Sequence, residues 1–343
     1  MLFDQPKQAL CFDDVLLVPH YSDIISRKNI DLRSNLSGFR DFRLPIISSP
    51  MDTVTGSRMA IAMGSAGGLG IIHRYNDPQA QSRLIEYAKK MGAGSVGAAV
   101  GVSGDYLERV GLLLAAGCDV ICIDVAHGHH ALMRHALKVL RKTHGFNFHI
   151  MAGNVATLEG FNDLADWGAN SIRVGIGGGS ICSTRIQTGH GIPTLQSVVD
   201  CSTSDRDATL IADGGIRTSG DIVKALAAGA DFVMIGSLLA GTTEAPGDVI
   251  HEGNGDKVKT YRGMASKEAQ IDWRGHTSSI EGVSSLVPYK GPVHNILGEL
   301  EIGLKSGLSY TGASTLRELQ RRAQFITQSS AGRMESETRA YYK

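Results

Sequence analysis

Short, near-continuous apolar runs recur along the chain, with longer amphipathic stretches between them. The runs are LPIISSP (44–50), GLGIIH (68–73), SVGAAV (95–100), DVICIDVA (119–126), HIMAGNV (149–155), SIRVGI (171–176), TLIADGGI (209–216) and DFVMIGS (231–237). Runs apolar at every position, rather than at alternate ones, read as strands buried on both faces of a parallel sheet. The intervening stretches include SGDYLERVGLLLAAG (103–117), LEGFNDLADWGA (158–169) and SGDIVKALAAGA (219–230). They have helical periodicity, and several close on Ala-Gly, the pattern of a helix C-terminus. Eight alternating units predict an α/β fold, a TIM (β/α)8 barrel, in one catalytic domain over residues 1–343.

Several stretches depart from the repeat. LCFDDVLLVPHYSDI, beginning after Ala9, is an apolar run closed by Pro19 and reads as a cover piece. Residues 258–289 are polar and Gly/Ser-rich, too long for a plain connection, and predict an active-site lid or flap. PVHNILGELEIGLKSGLSY (292–310) and TLRELQRRAQFI (315–326) read as closing C-terminal helices. The tail SSAGRMESETRAYYK is polar, either disordered or reaching a neighbouring subunit.

Composition narrows the function classes. Lys and Arg together number 34, as do Asp and Glu, so no basic field argues for nucleic acid or a membrane surface. The five cysteines (Cys11, Cys118, Cys122, Cys182, Cys201) are scattered without CxxC spacing, which suits thiols in a reducing compartment. The N-terminus has no apolar signal core and no run reaches membrane-spanning length, so a cytoplasmic protein is expected.

Candidate chemistry centres on VGIGGGSICSTRIQT (174–188). Gly177, Gly178 and Gly179 let the backbone take positive φ and turn N–H groups toward one point, which suits an anion. Cys182 follows directly, among oriented amides and beside Arg185, an environment that favours a reactive thiolate. In this fold functional groups sit at the C-terminal strand ends, with phosphates commonly bound after the seventh and eighth strands. Asp213-Gly214-Gly215 and Gly236-Ser237 end those strands, and Ser180 lies on the loop of the sixth, so three small or hydroxylated loops converge on a phosphomonoester. Asp213 is placed to accept ribose hydroxyls. Asp124 ends the fourth run and Asn154 the fifth, both facing the same end, with a helix cap the alternative for Asp124. His127, His129 and His130 invite a metal, but no carboxylate spacing completes a set.

SICSTR around Cys182, SSPMDTVT (48–55), GLGIIH (68–73), IDVAHGH (123–129), AGNVAT (152–157), IADGGIRTSGD (211–221), VMIGSLLAG (233–241) and YRGM (261–264) resemble the IMP dehydrogenase/GMP reductase family. The similarity runs from about Phe12 to Phe325. It implies a homotetramer in which a cysteine attacks C2 of a purine 5′-monophosphate, GMP or IMP, and a hydride passes between C2 and a nicotinamide, NADPH/NADP or NAD. On that resemblance Cys182 is the nucleophile, with Thr184 and Glu281 catalytic beside it. Ser180, Gly214, Gly215, Gly236, Ser237 and Tyr261 surround the phosphate, Asp213 the ribose, and Ser49, Met51, Gly263 and Met264 the nucleotide. Asp124, Ala126, His127, Asn154 and Gly175 face the cofactor. The carbonyls of Gly177, Gly179 and Cys182 resemble the family's potassium loop.

The resemblance divides over direction. Dehydrogenases hydrolyse their covalent adduct with an Arg-Tyr pair on a long flap; reductases have a shorter flap and a Thr-Glu pair. Here the flap is short and lacks Arg-Tyr, with Trp273-Arg274 nearest, and Thr184 and Glu281 match the reductase pair. Only about twenty residues separate His73 from Ser95, where dehydrogenases usually carry a CBS module, so that module is read as absent. On the other side, SPMDTVT, YRGM, IEGVSSLVPYKG and SAGRMESE look more like bacterial dehydrogenases, and Glu335 and Ser336 resemble their potassium ligands from a neighbouring subunit. The residues at positions that read the purine 2-amino group in reductases are Ala265, Ser278 and Ile280. GMP reductase is the preferred reading and a CBS-less IMP dehydrogenase the alternative. A flavin-dependent barrel or a non-catalytic nucleotide sensor would leave Cys182 without a role.

Overall fold

The computed structural model describes residues 8–253, 255–278 and 280–336. All eight apolar runs are strands of one closed parallel barrel: β1 (Ile46–Ser48), β2 (Leu69–Ile72), β3 (Val96–Val100), β4 (Val120–Asp124), β5 (His149–Val155), β6 (Ser171–Val174), β7 (Thr209–Asp213) and β8 (Phe232–Ile235). Each pairs with its sequence neighbours, and β8 closes on β1 through Val233–Ile46 to Ile235–Ser48. Their uniform apolarity follows from two interfaces. One set of side chains, including Ile47, Leu69, Ile71, Val120, Met151, Ile211 and Met234, fills the barrel interior. The other set packs outward against the surrounding helices. Burying one large apolar side chain contributes about 1.5–3 kcal/mol, so this double use of each strand fixes the rim on which the functional loops stand.

Local signals set the helix limits. Asp77 caps Pro78–Lys90 by accepting the Ala80 N–H at 2.7 Å, with Pro78 at the first turn. Thr218 and Asp221 form a reciprocal capping box at Ser219–Ala227. The Ala-Gly endings behave as read: Gly117 and Gly229 follow their helices at φ +87° and +112°.

The sequence reading missed a hairpin, Ser34–Asn35 with Asp41–Phe42, that closes the N-terminal end of the barrel. Its Leu36 and Phe42 enter the interior, and Phe42 meets Phe232 edge-on at 5.8 Å. The cover piece contains a strand, Val15–Leu17, paired antiparallel with Phe325–Thr327. The second closing helix therefore stops at Arg322: Ala323 turns extended (φ −59°, ψ 132°), and the apolar Phe325 and Ile326 serve a sheet edge rather than a helix face.

The flap contains regular elements of its own. β9 (Lys257–Arg262) and β10 (Ser284–Pro288) form an antiparallel pair, with the helix Lys267–Arg274 between them and Ile250–His251 along the outer edge. Part of the polar tail is a short helix, Ser330–Glu335, tied to the cover piece by Arg333 and Asp13 at 2.9 Å. The rest of that tail lies outside the described residues. No helix among them is long and apolar enough to cross a membrane.

Candidate active site

A cavity of about 360 Å³ opens at the C-terminal end of the barrel, beneath the flap. Ser49, Met51, Ser180, Asp213, Gly214, Gly215, Gly236, Ser237, Tyr261, Gly263 and Met264 line it, together with Asp124, Ala126, Asn154, Gly175, Gly177, Gly179, Cys182, Thr184 and Glu281. His127 does not; it is exposed beyond the rim. The histidine cluster disperses, since His129 pairs with Asp163 at 2.8 Å and His130 caps the following helix through the Leu132 N–H. Among the described residues no group of His, Cys, Asp and Glu could hold a metal ion. Asp124 is not a helix cap.

The loops after β6, β7 and β8 meet as the apolar runs implied. Of the three consecutive glycines only Gly177 takes positive φ, +76°. Gly178 serves close approach instead: a Cβ there would stand 2.5 Å from the Thr194 hydroxyl. Gly214 and Gly215 both take positive φ, +93° and +77°, turning the β7 loop back across the cavity. The main-chain N–H groups of Ser180, Gly214, Gly215 and Ser237 find no main-chain acceptor among the described residues. Tyr261 closes the set from β9, lining the cavity beside Ser180; burial pushes its phenol above the ordinary value and keeps it a neutral donor. Unspent donors on three loops that line one cavity make a nest suited to an anion.

The residue that organises the opposite side was absent from the candidates. Arg173 is buried on β6, and its guanidinium binds Asp124 Oδ1 at 2.5 Å and Asp213 Oδ2 at 2.8 Å. Burial works against its charge, but Asp213 and Asp124 outweigh burial and raise its pKa well above the ordinary value. Asn154 adds an N–H to Asp213 Oδ2 at 2.8 Å. Two carboxylates on different strands are thus aimed by one cation. The signal was present: an arginine inside the apolar run SIRVGI must have buried partners.

Cys182 Sγ lies 3.1 Å from Thr184 Oγ1, which donates to Glu281 Oε2 at 2.8 Å. This thiol–hydroxyl–carboxylate chain joins the β6 loop to the flap, and the backbone fixes it. Ser183 N–H donates to Glu281 O at 2.9 Å, and Val283 N–H to Ile181 O at 3.0 Å. Arg185 is not beside the thiol, contrary to the sequence expectation. Its Nη2 donates to the Ile176 and Ile192 carbonyls, and it lines a second, smaller cavity behind the nest.

The flap is anchored to the rim on its other side too. Arg262 binds Asp52 at 2.6 Å, Trp273 stacks on Tyr75 with centroids 4.3 Å apart, and the Tyr75 hydroxyl donates to the Met264 carbonyl. Arg274 turns onto the flap itself, toward Gln270 and Ser278, and lines no part of the cavity. Of Ala265, Ser278 and Ile280, only Ala265 reaches the cavity wall.

Fold and site define a (β/α)8 barrel that presents a thiol on a glycine loop beside a nest of main-chain donors. A family model described as the IMP dehydrogenase / GMP reductase domain matches residues 9–339. The chain is 36% identical to inosine-5′-monophosphate dehydrogenase of Nitrosopumilus maritimus, covering 96% of this chain and 98% of that protein. It is 32% identical to GMP reductase of Leishmania major, covering 96% of each. A crystal structure of a cysteine-to-alanine variant of Trypanosoma brucei GMP reductase, in complex with guanosine 5′-monophosphate, superposes with a TM-score of 0.93 at 31% identity, covering 98% of this chain and 99% of that one. The chain belongs to the IMP dehydrogenase/GMP reductase family, the NAD(P)-dependent oxidoreductases of purine nucleotides.

Proposed function

We propose that the protein is a GMP reductase, converting GMP and NADPH to IMP, ammonia and NADP. The observation that carries this reading is the Cys182–Thr184–Glu281 chain, together with Arg274 facing away from the cavity. The nest of Ser180, Gly215, Ser237 and Tyr261 holds the 5′-phosphate, and Asp213, aimed by Arg173, holds the ribose. Remote binding of this kind positions the purine ring over the thiol. Cys182 Sγ adds to C2, and Glu281 acts through Thr184 to deliver the proton with which the 2-amino group leaves as ammonia. The carbon left bound to sulfur is an electrophilic thioimidate. When bound, a reduced nicotinamide would supply a hydride; C2 accepts it, and the C–S bond then breaks to return the Cys182 thiolate and release IMP.

The residues fit such a cofactor. Asn154 Oδ1 and Arg74 Nε are buried without partners in the cavity wall, leaving one acceptor and one donor for a polar ligand. Asp124 and Gly175 border the same side. A potassium ion on the carbonyls of Gly177, Gly179 and Cys182 would hold the thiol loop. The same reading takes the chain as a single barrel domain without a CBS module that works as a homotetramer.

A second reading, IMP dehydrogenase, draws on the higher identity to relatives of that name and on Arg74 and Tyr75, an adjacent pair in the cavity wall. In that direction this pair, rather than Arg274, would activate water. Absorbance at 340 nm separates the two. Loss of signal with GMP and NADPH, with ammonia released, is expected; steady gain with IMP, NAD and potassium would overturn the reductase assignment.

A further inference from the structure

Two lysines at the root of the flap are planted on the loop that follows β8. Lys290, just beyond β10, donates from Nζ to the carbonyls of Ser237 at 2.7 Å and Leu238 at 3.2 Å. Lys259, on β9, donates to those of Thr242 at 3.1 Å and Ala245 at 2.6 Å. The main chain reinforces the junction: Lys290 N–H donates to Gly241 O and Thr243 N–H to Gly291 O, each at 2.9 Å. Burial lowers the pKa of both lysines. Lys259 is buried, whereas Lys290 lies at the surface.

The placement of Lys290 has a direct bearing on the nest. In a trans peptide the C=O and N–H of one unit point opposite ways, so an ammonium on Ser237 O also fixes the Leu238 N–H of that unit. The N–H groups of Leu239 and Ala240 both donate to Gly236 O, closing a helical turn whose leading donors, Ser237 and Leu238 N–H, have no main-chain acceptor among the described residues; Ser237 lines both cavities. An ammonium against their carbonyls completes the turn from behind, as a cation at the end of a helical turn does, and adds positive charge behind the donors.

We propose that Lys290 is a positioning residue for phosphate: it holds the β8 loop with its donors presented, so that the grip on the phosphate depends on the root of the flap. This rests on the reading that the nest binds a 5′-phosphate. The same lysine ties flap attachment to nucleotide binding, because the segment that leaves β10 is the one that braces the nest.

The test is calorimetric titration of the full chain with guanosine 5′-monophosphate and, in parallel, guanosine. Lys290→Met is expected to weaken the nucleotide roughly three- to tenfold, the scale of one charge-assisted contact, with guanosine unchanged. KM should rise by the same factor while kcat stays within about twofold, and Lys290→Arg should restore both. Equal losses for nucleotide and nucleoside, or no loss, would overturn the proposal while leaving the phosphate site standing. A wild-type protein that binds guanosine as tightly as the nucleotide would instead overturn the phosphate site itself. Lys290→Gln, with a thermal melt of each variant, separates lost positioning from lost folding.

Discussion

The rim of the barrel and the flap that covers it are built on different principles. Below the rim, Ile211 and Met234 are essentially inaccessible, and the residues that end their strands stand on a filled interior. The flap has no comparable core. Ile271, Val283 and Leu286 are 43%, 50% and 48% exposed, and its attachment relies largely on ion pairs, one aromatic stack and main-chain bonds to the Cys182 loop. Rigid and loosely held halves nevertheless share one chemical chain, since Cys182 and Thr184 belong to the barrel and Glu281 to the flap. The thiol and the main-chain donors of the nest stand on barrel loops, whereas Tyr261 and the Glu281 carboxylate come with the flap, the less deeply packed half.

Perturbing each half in turn tests this division. The largest effect is expected from Cys182→Ala on the barrel side, with turnover falling about 10³-fold or more and nucleotide affinity preserved. Steady-state rates alongside calorimetry check it; retained turnover would end the covalent mechanism. On the flap side, Glu281→Gln should slow ammonia release about 10²-fold, with a smaller loss in isotope-traced hydride exchange, because the proton route fails while the thiol and nest remain. Weaker still is Trp273→Ala, which removes the stack on Tyr75. It should cost about three- to tenfold in kcat without changing the melting temperature, as measured by assay and by calorimetric scan.

The smallest effect on activity, and a clear one on stability, belongs to the floor of the barrel. His149 is buried against Ser171 Oγ at 2.8 Å, and burial, assisted by Arg141, pushes its pKa down to about 3. A folded value below the ordinary 6.5 means that neutral His149 contributes stability above that pH, lost as pH falls from 6.5 toward 3. Unfolding free energy should therefore drop by up to about 1.4 kcal/mol per pH unit from this one group. His149→Gln should flatten that slope in denaturant titrations at several pH values, whereas Trp273→Ala should leave it as in the wild type.

Much of this was legible in the sequence because two-sided burial writes itself as unbroken apolarity. Eight runs gave eight strands, and polar residues at their ends, Ser49, Asp124, Asn154, Asp213 and Ser237, line the cavity. Legibility failed where position depends on partners distant in the chain. Arg173 reads as one charge in a strand until Asp124 and Asp213 are seen on either side of it. Arg185, three residues from Cys182, looked like its electrostatic partner, but the helical turn carries its guanidinium to the carbonyls of Ile176 and Ile192. Leu36 and Phe42 lie in a polar segment whose closure of the barrel appears only when the strands converge. The flap was legible as a lid over 258–289, but not its strands and helix, because they pair with each other and bury little, leaving no periodic apolar signature.

The stack of Trp273 on Tyr75 also makes the flap visible to light. The chain has only two tryptophans, and the other, Trp167, lies outside the flap, near the ring of His129 at 5.9 Å. An indole held face to face with a phenol, with the guanidinium of Arg74 5.4 Å from its ring, should emit differently from one swinging in water. With Trp167 replaced by Phe, the remaining emission becomes an optical record of a single hinged segment. Its rise and decay after mixing would give the opening and closing times of the flap in solution, without any label.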